Sequence, residues 1–239
     1  MISWIIHRKD VTESTNADAR SGRPGDVHVA EYQTAGRGRL DHRWLAPKGV
    51  NLTFSAVLDV AGHRPDDVAT LPLVAGLAVV DAVGPLLAGT RVAPMLKWPN
   101  DVLCGGRKLA GLLCERNGDC VVAGIGVNVN QTAFAPEIAD RATSLALLAG
   151  HSFDRDAVLE AILSSLSTMH ERWARHGFAA LHPSIAAVDH LAGRMVEVRQ
   201  TDDDAAPTAG LCGGVQPDGT LLVGSTRVYA GEAHVFSCA

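Results

Sequence analysis

The stretch MLKWPNDVLCGGRKLAGLLCERNGDCVVAGIGVNVN, residues 95–130, decides the fold. Its apolar runs are short, and the turn-forming groups WPN, CGG and NGD separate them. Short apolar runs separated by turn-forming residues are typical of neighbouring strands joined by tight turns. Gly105 and Gly106 lie at the centre of one such hairpin. The stretch therefore predicts an antiparallel or mixed sheet.

The segments around this stretch add strands and helices. Three more strands are predicted where apolar residues are dense or alternate, at ISWIIH (2–7), VHVAEY (27–32) and NLTFSAVL (51–58). Ser14 or Thr15 can cap a short helix. Apolar, alanine-rich residues 66–87 predict a buried helix, and helical spacing over residues 154–177 predicts an amphipathic one. Helices packed on a mixed sheet make an α+β fold.

The sequence pattern changes near residue 191. Short β-type segments follow, separated by Asp, Gly and Pro turns, at MVEVRQ (195–200), AGLCGGV (209–215), GTLLVG (219–224) and HVFSC (234–238). The polar run TDDDAAPTAG, residues 201–210, reads as a turn or linker. We therefore predict a main domain over residues 1–190 and a small β-barrel over residues 191–239.

Composition excludes several classes of protein. With 239 residues, 47% of them hydrophobic, the chain is long enough for one sizeable core and a smaller unit. A net charge of −5 lacks the chain-wide positive field of non-specific nucleic-acid binding. No nucleic-acid partner is therefore expected.

Cysteine usage and the N-terminus indicate a cytoplasmic protein. The five cysteines are odd in number and include no CxxC pair, so free thiols are expected rather than a disulfide framework or zinc site. The N-terminal MISWIIHRKD lacks the pattern of a signal peptide, and no uncharged apolar run is long enough to span a bilayer. We expect no membrane partner.

An arginine-rich loop, GRGRLDHRW at residues 36–44, is the first chemical motif. Gly36 and Gly38 allow a sharp turn or a close approach to a ligand, and the alternating arginines offer forked donors for phosphate or carboxylate oxygens. The GxGxxG dinucleotide pattern is not met, because Asp41 occupies the position of the third glycine. The alternative is a solvated hairpin whose charges maintain solubility.

A second motif lies within KWPNDVLCGGRKLAG, residues 97–111. It supplies Lys97, Asn100, Asp101 and Lys108 around a turn and a hairpin. Magnesium-assisted chemistry on a triphosphate needs an oxygen ligand for the metal and a cation for the phosphates, and these residue types provide both. Taken alone, WPND could be an ordinary turn and Lys108 a surface lysine.

Together with STN (14–16), AEYQTAGRGR (30–39), RKLAG (107–111) and GIGVNVN (124–130), the KWPND motif makes the chain resemble biotin protein ligases. The resemblance implies a catalytic domain related to class II aminoacyl-tRNA synthetases and lipoate ligases, followed by an SH3-like domain. It also implies the type that acts only as a ligase, without an N-terminal DNA-binding domain.

The reaction implied by the resemblance has two steps. Biotin and MgATP form biotinyl-5′-adenylate and pyrophosphate, and a lysine of a carrier protein then takes the biotinyl group and releases AMP. The implied partner is the biotin carboxyl carrier protein or domain of acetyl-CoA carboxylase or a related carboxylase. ATP and Mg²⁺ are the implied cofactors, and biotin is the substrate.

The resemblance also assigns site residues. It implies a biotin pocket formed by Ser14, Thr15, Asn16, Gln33, Gly36, Arg37, Arg39, Lys108, Gly111 and Leu112. It implies nucleotide contacts from Arg39, His42, Arg43, Trp44, Asn100, Lys108 and Asn128. Lys108, Arg39 and Asp101 are the implied catalytic residues, and Asp101 is also the candidate Mg²⁺ ligand. Structural alternatives are an N-cap for Ser14 or Thr15, a core anchor for Trp44 and a strand-end cap for Asn128.

One departure from the family pattern concerns the loop. Where members commonly have a variable residue, glycine and arginine after the GRGR motif, this chain has Leu40, Asp41 and His42. One glycine and one phosphate-facing arginine are therefore missing, and Arg43 is a partial substitute. Two other functions stay open: a lipoate or octanoate transferase on the related fold, and a non-catalytic regulator that binds biotinyl-adenylate.

Overall fold

A mixed sheet forms the largest part of the fold. The structure, a computed structural model, describes residues 2–40, 42–199 and 206–236, and over these residues seven strands form that sheet. They are Ile5–Thr12 (β1), Asp26–Gln33 (β2), Leu52–Asp59 (β3), Pro94–Lys97 (β4), Asp101–Cys104 (β5), Arg107–Asn117 (β6) and Cys120–Val127 (β7). Their order is β1-β2-β3-β7-β6-β5-β4, with β1 and β2 parallel and the other neighbours antiparallel.

The hairpins of the second half of this sheet are those that the sequence predicts. Gly105 and Gly106 have φ values of 57° and 76° and join β5 to β6, while Gly118, at φ 61°, joins β6 to β7. Glycine adopts these left-handed conformations without the steric strain that a Cβ introduces. The long β6–β7 pairing places Gly111 directly opposite Gly126.

The first strand differs from its predicted bounds. The sequence predicts residues 2–7, whereas β1 runs from Ile5 to Thr12 and is exposed almost throughout. Its charged residues pair across the surface, as in Arg8–Asp156 and Lys9–Asp18, both at 2.8 Å. Main-chain pairing with β2 defines this strand, so an apolar pattern does not mark where it ends.

Helices cover the sheet. They are Thr15–Ala19 (α1), Pro65–Val68 (α2), Leu71–Val83 (α3), Leu145–Ala149 (α4), Arg155–His176 (α5) and His182–Ala187 (α6). Helices α3 and α5 pack against each other, and the apolar side chains of both join the main core. The short helices α4 and α6 were not predicted, because one or two turns give too little periodicity to recognise.

The predicted buried helix over residues 66–87 is divided into three pieces. Helix α2 ends at Val68, Thr70 precedes α3, and Pro72 lies in the first turn of α3, where its missing N–H leaves no bond unmade. A 3₁₀ turn, Pro85–Leu87, follows Gly84. Residues 65–87 are long and apolar enough to cross a membrane by those criteria alone, but most of this segment is buried in the core.

Helix α5 confirms the prediction for residues 154–177. The Asp154 carboxylate accepts a 2.9 Å hydrogen bond from the Asp156 N–H at the start of the helix. Gly177 follows the last turn with a φ of 73°, which suits glycine. The buried face of α5 includes Leu166 and Trp173, both fully buried.

The region after residue 190 forms a second sheet. Its strands are Met195–Arg199 (β8), Thr208–Val215 (β9), Leu221–Val223 (β10), Thr226–Val228 (β11) and Glu232–Val235 (β12), in the order β11-β10-β9-β8-β12. This sheet agrees with the predicted small β unit. Strand β11 was not predicted because its three residues, Thr-Arg-Val, include a single apolar one. Much of the predicted linker over residues 201–210, and Cys238 of the predicted last strand, lie outside the described residues.

The two sheets share one core. Leu191, Val196 and Cys212 belong to the same apolar cluster as the residues of the main sheet. The buried Asp189 carboxylate accepts 2.8 Å hydrogen bonds from the backbone N–H groups of Leu191 and Val215. The segment that follows α6 is thus fixed to β9, while the division of the chain near residue 190 stays a prediction.

The cysteines that the structure describes are free thiols. Burial raises the pKa of Cys104 to about 12. Burial also raises the pKa of Cys114 to about 12, and the nearby Glu115 carboxylate adds to this shift. A thiol with such a pKa is neutral at physiological pH, so these side chains act as small apolar groups.

Removing core volume from α5 should destabilise the whole protein. Leu166→Ala deletes a fully buried side chain, and we expect the free energy of unfolding to fall by about 2–5 kcal/mol. The matched control is Glu160→Ala on the exposed face of α5, for which the change should stay within about 0.5 kcal/mol. Urea denaturation of both variants measures the difference, and equal midpoints would contradict the packing described.

Candidate active site

A cavity of about 110 Å³ opens between the main sheet, α1, the arginine loop and the start of β12. It brings together residues that are far apart in the sequence. Of the residues that the resemblance assigns, those that line it are Ser14, Thr15, Asn16, Gln33, Arg37, Arg39, His42, Arg43, Trp44, Asn100, Asp101, Lys108, Gly111 and Leu112. Their individual roles remain predictions.

The inner wall of the cavity is a network of buried polar side chains. Ser55 on β3 donates to Asn16 Oδ1 at 2.6 Å, or shares its hydroxyl proton with Thr15 Oγ1 at 2.7 Å. The Thr15 N–H donates to Gln33 Oε1 at 2.8 Å. These contacts fix the start of α1 against β2 and β3. Ser14 occupies the N-cap position of that helix, as the sequence predicts, and its carbonyl accepts from the Asp18 N–H at 3.1 Å, although its side chain makes no capping hydrogen bond.

Glycines on β6 and β7 form the floor. A Cβ on Gly124 would overlap the Asn16 side chain, and a Cβ on Gly126 would overlap the Trp44 indole. A Cβ on Gly111 would lie 3.0 Å from Lys108 Nζ and 3.2 Å from Trp44. The missing side chains thus leave room for Asn16, Trp44 and Lys108 above the strands.

The arginine loop folds over this floor as a hairpin. The Trp44 N–H donates to the Gly36 carbonyl at 2.9 Å, and the Gly38 N–H donates to the His42 carbonyl at 2.6 Å. Leu40 at the tip has a φ of 51°, an unusual value for a residue with a side chain. Asp41 lies outside the described residues, so its effect on the loop is not described.

The arginines of the loop have different partners. Arg39 reaches inward, within 3.4 Å of Asn100 Oδ1 and 3.2 Å of the Gly231 carbonyl. Burial lowers the pKa of Arg39, although the Glu232 and Asp101 carboxylates oppose that shift. Arg37 is half exposed and donates to Glu115, and Arg43 donates to the Thr34 carbonyl at 3.2 Å.

Trp44 lies inside the cavity. Its indole rests on Gly126, and Lys108 Nζ lies 6.0 Å from the centre of the ring. The indole N–H is buried and has no hydrogen-bond partner among the described residues. A buried donor without an acceptor costs about 1–3 kcal/mol, which the packing of the ring on Gly126 must offset.

Positive charges converge at one end of the cavity. Lys108 Nζ lies 2.7 Å from Asp101 Oδ1. Burial lowers the pKa of Lys97, and this shift is opposed by Asp101 and reinforced by the charge of Lys108. Glu232 of β12 completes the group and lies 3.4 Å from His42 Nδ1. An anion entering here would meet cations that are already partly stripped of water.

Backbone contacts hold this charged end in place. Asn100 Nδ2 donates to the Leu112 carbonyl at 2.7 Å, and the Leu112 N–H returns a 2.9 Å bond to the Asn100 carbonyl. The Lys108 N–H donates to the Arg141 carbonyl at 2.7 Å. The WPND segment and the β5–β6 hairpin therefore present Asp101 and Lys108 from a rigid frame.

Two assigned residues, Gly36 and Asn128, are absent from the described lining of this cavity. Gly36 lies at the base of the arginine loop, where a Cβ would meet the Trp44 carbonyl at 2.5 Å. Asn128 is buried, and its amide donates to the Thr143 carbonyl at 3.0 Å and accepts from Asn51. Its contacts favour the strand-end role over a nucleotide contact.

Three further residues of the site escaped assignment from the sequence. Ser55 joins Thr15 to Asn16, Glu115 bonds both Asn16 and Arg37, and Glu232 lines the charged end. Ser55 falls among the polar positions of the alternating strand, which by themselves predict exposure, whereas β3 is buried on both faces. Glu115 and Glu232 carry no local pattern, because their partners are distant in sequence.

Comparison with known proteins identifies the family of this chain. Residues 8–131, more than half of the chain, match the biotin/lipoate A/B protein ligase family. The chain belongs to this family. It is 33% identical over 224 residues to a biotin--[acetyl-CoA-carboxylase] ligase of Paracoccus denitrificans, covering 89% of this chain and 91% of that protein.

Other relatives of the family are longer than this chain. Identity is 41% over 169 residues to the biotin--[acetyl-CoA-carboxylase] ligase of Mycobacterium tuberculosis, covering 68% of this chain but only 62% of that protein. The chain likewise spans 56% of the bifunctional ligase/repressor BirA of Bacillus spizizenii, with 34% identity over 186 residues.

The fold also matches a solved member of the family. The biotin protein ligase from Aquifex aeolicus in complex with biotin and ATP superposes with a TM-score of 0.84 at 30% identity, covering 97% of this chain and 98% of that one. The expected α+β fold, a mixed sheet with helices, is thereby confirmed.

Adding a methyl group to the floor should displace Trp44. Gly126→Ala places a Cβ where the indole lies, so the ring must move toward solvent. In protein labelled with 5-fluorotryptophan, we expect the ¹⁹F resonance of Trp44 to shift and to gain a solvent isotope effect. The resonances of the other three tryptophans should stay in place. Loss of one signal in Trp44→Phe assigns that resonance.

The control for this substitution is Gly84→Ala, at the end of α3 with a φ of −52°. Its new Cβ would lie 3.3 Å from the Val80 carbonyl, far from the cavity. All four fluorine resonances should keep their positions. An unchanged Trp44 resonance in Gly126→Ala would show that the indole does not rest on this glycine.

Proposed function

We propose that this protein activates biotin with MgATP to form biotinyl-5′-adenylate and then transfers the biotinyl group to a lysine of a biotin carboxyl carrier protein or domain. One observation carries the proposal: Arg39 and Lys108, from two separate motifs, converge on one end of a pocket whose other end is lined by hydrogen-bonding side chains. The names of the relatives and the biotin and ATP of the Aquifex complex agree with this chemistry.

The polar end of the cavity suits the head group of biotin. Thr15, Asn16 and Gln33 offer donors and acceptors for the ureido N–H and C=O groups, and Ser55 holds two of them in place. Gly111 and Leu112 provide an apolar strip beside them. A small, mostly enclosed site with a few fixed polar groups is typical of specific small-molecule recognition.

The charged end suits the first chemical step. A carboxylate oxygen of biotin attacks the α-phosphorus of ATP, a new P–O bond forms, and the bond to pyrophosphate breaks. Negative charge builds on the α-phosphate oxygens in the transition state. Lys108 and Arg39 are placed to stabilise that charge, and groups fixed before the reaction need little reorganisation as it proceeds.

The second step transfers the acyl group. The amine of the carrier lysine attacks the carbonyl carbon of the adenylate, an amide forms and AMP leaves. Until then the mixed anhydride must be shielded from water. The hairpin of the arginine loop covers the cavity and is suited to this shielding.

Trp44 is the candidate partner of the adenine ring. Its indole N–H has no acceptor among the residues that the structure describes, so moving the ring breaks no hydrogen bond to them. Once displaced from Gly126, the indole offers an aromatic face on which a purine can stack. His42 and Arg43 line the same side of the cavity, close to where the phosphates would lie.

Mg²⁺ enters this scheme with the nucleotide, as MgATP. Among the described residues, Asp101 and Glu232 are the carboxylates that line the cavity, and no cluster of three or more metal-binding side chains occurs. Mg²⁺ commonly takes one or two protein carboxylates together with substrate phosphates, so this donor set fits. The ion would neutralise phosphate charge, and Asp101 is its first candidate ligand.

We further propose a catalytic domain over residues 1–190, an SH3-like domain over residues 191–239, and a cytoplasmic location. The separate strand order of β8–β12 supports the division. Free, neutral thiols support a reducing compartment.

Exchange of labelled pyrophosphate into ATP tests the proposed function. We expect exchange that depends on both biotin and Mg²⁺. Labelled pyrophosphate enters ATP only when biotinyl-adenylate forms and the adenylation step then runs in reverse. Lipoate and octanoate, offered in place of biotin, should give little exchange. Exchange that occurs equally without biotin, or that prefers lipoate, would overturn the proposal.

Loss of the Lys108 cation should slow adenylation more than it weakens binding. In Lys108→Ala, we expect kcat for pyrophosphate exchange to fall by about two to three orders of magnitude, the effect of removing one group that stabilises transition-state charge. Biotin affinity measured by calorimetry should change far less. Lys48→Ala removes an exposed lysine that pairs with Asp10 and should leave kcat unchanged. A near-normal kcat in Lys108→Ala would exclude this role.

A further inference from the structure

Glu115 on β6 makes hydrogen bonds to two parts of the site. Its Oε1 accepts from Arg37 Nη2 at 3.0 Å, and its Oε2 accepts from Asn16 Nδ2 at 2.6 Å. Arg37 belongs to the arginine loop, whereas Asn16 belongs to the inner wall of the cavity. The residues are 78 and 99 positions away from Glu115 in the sequence.

The contact with Asn16 determines how its amide points. Asn16 Nδ2 faces the Glu115 carboxylate and the Leu113 carbonyl, and both of these groups can only accept hydrogen bonds. Asn16 Oδ1 must therefore face Ser55, which can donate. A neutral side chain at position 115 that could also donate would remove this restriction.

The contact with Arg37 holds the loop. Beyond its own hairpin bonds, the loop is anchored to the β6 strand by this ion pair and to the other side of the site by Arg39. The Glu115 carboxylate is only 28% exposed, so water screens it less than an ordinary surface acid. Arg20 approaches the same carboxylate at 3.6 Å from outside the cavity.

We propose that Glu115 is a positioning residue that couples the biotin pocket to closure of the arginine loop. The inference rests on the proposed function. Glu115 touches neither reacting atom; it holds Asn16 in the orientation that the pocket needs and at the same time keeps Arg37, and with it the loop, over the adenylate. A closed loop would then be favoured most when the pocket wall is correctly formed, and the adenylate would be retained until the carrier arrives.

Release of biotinyl-adenylate is the decisive measurement. In Glu115→Gln, which keeps the shape of the side chain but not its charge, we expect the adenylate to dissociate about three- to tenfold faster, the scale of one partly screened charge-assisted bond. Labelling of bystander lysines should rise in parallel. The KM for biotin should increase by a similar factor while kcat for pyrophosphate exchange stays within about twofold.

A double-mutant cycle separates coupling from simple destabilisation. If Glu115 holds the loop through Arg37, release from Glu115→Gln/Arg37→Gln should be slower than the product of the two single effects predicts, because the two residues share one contact. Glu31→Gln is the control, because Glu31 is a comparably exposed carboxylate that pairs with Arg155 at 2.8 Å outside the cavity. It should release adenylate at the wild-type rate. The proposal would be overturned if Glu115→Gln released adenylate at the wild-type rate. It would also be overturned if the effects of Glu115→Gln and Arg37→Gln on that rate were simply multiplicative.

Hydrogen exchange provides a test that does not depend on catalysis. Without any ligand, the backbone amides of residues 36–44 should exchange faster in Glu115→Gln than in the wild type, whereas those of β7 should not change. If wild-type protein formed no adenylate, the proposed function would fail, and this exchange experiment would still decide whether Glu115 holds the loop. Equal exchange in residues 36–44 would overturn the inference.

Discussion

Gly111 and Gly126 face each other across β6 and β7, and the two missing side chains are the constraint on which the site depends. A Cβ at either position would enter the space now used by Trp44 or Lys108. The bare backbone forms a flat floor, and the antiparallel hydrogen bonds of two long strands keep it rigid. Because Gly111 and Gly126 have no side chains, Trp44 of the arginine loop can lie directly against the strands.

Two of the positively charged side chains at the site are partly buried. Arg39 and Lys97 are both partly removed from water, which makes their positive charge costly and is the physical cause of their lowered pKa values. Asp101 and Glu232 offset that cost. An incoming anion would take over part of this compensation, so the arrangement of charges favours binding of a negative group at this end of the cavity.

Much of this arrangement follows from the sequence. The motifs around Thr15, Gln33, Arg39, Asp101 and Lys108 predicted one site, and the structure brings them to one cavity because each lies at a turn or at the end of an element. The hairpins were predictable from Gly105, Gly106 and the NGD turn. Local signals of this kind arise from backbone conformation, which a few residues determine.

What the sequence did not predict depends on distant partners or on weak local patterns. Glu115 looks like a solvent-facing strand residue until Arg37 and Asn16 are brought beside it. The break in the helix at Thr70 has a local signal in Pro72, but the contact that accompanies it is distant in sequence, since the Trp173 indole N–H donates to the Thr70 hydroxyl at 3.0 Å. The bounds of β1 are set by pairing with β2, and its exposed charged residues give no periodic signal.

The hydrogen bond from Arg39 to the Gly231 carbonyl joins residues 192 positions apart, and this separation has a consequence for synthesis of the protein. The arginine loop is synthesised early, and the Gly231 carbonyl that accepts the Arg39 hydrogen bond is synthesised much later. While the ribosome is still adding the intervening residues, a nascent chain can pair β1, β2 and β3 and build the floor of β6 and β7, yet Arg39 lacks this partner. The loop can therefore acquire this anchor only after the segment that begins β12 has emerged from the ribosome, long after the loop itself.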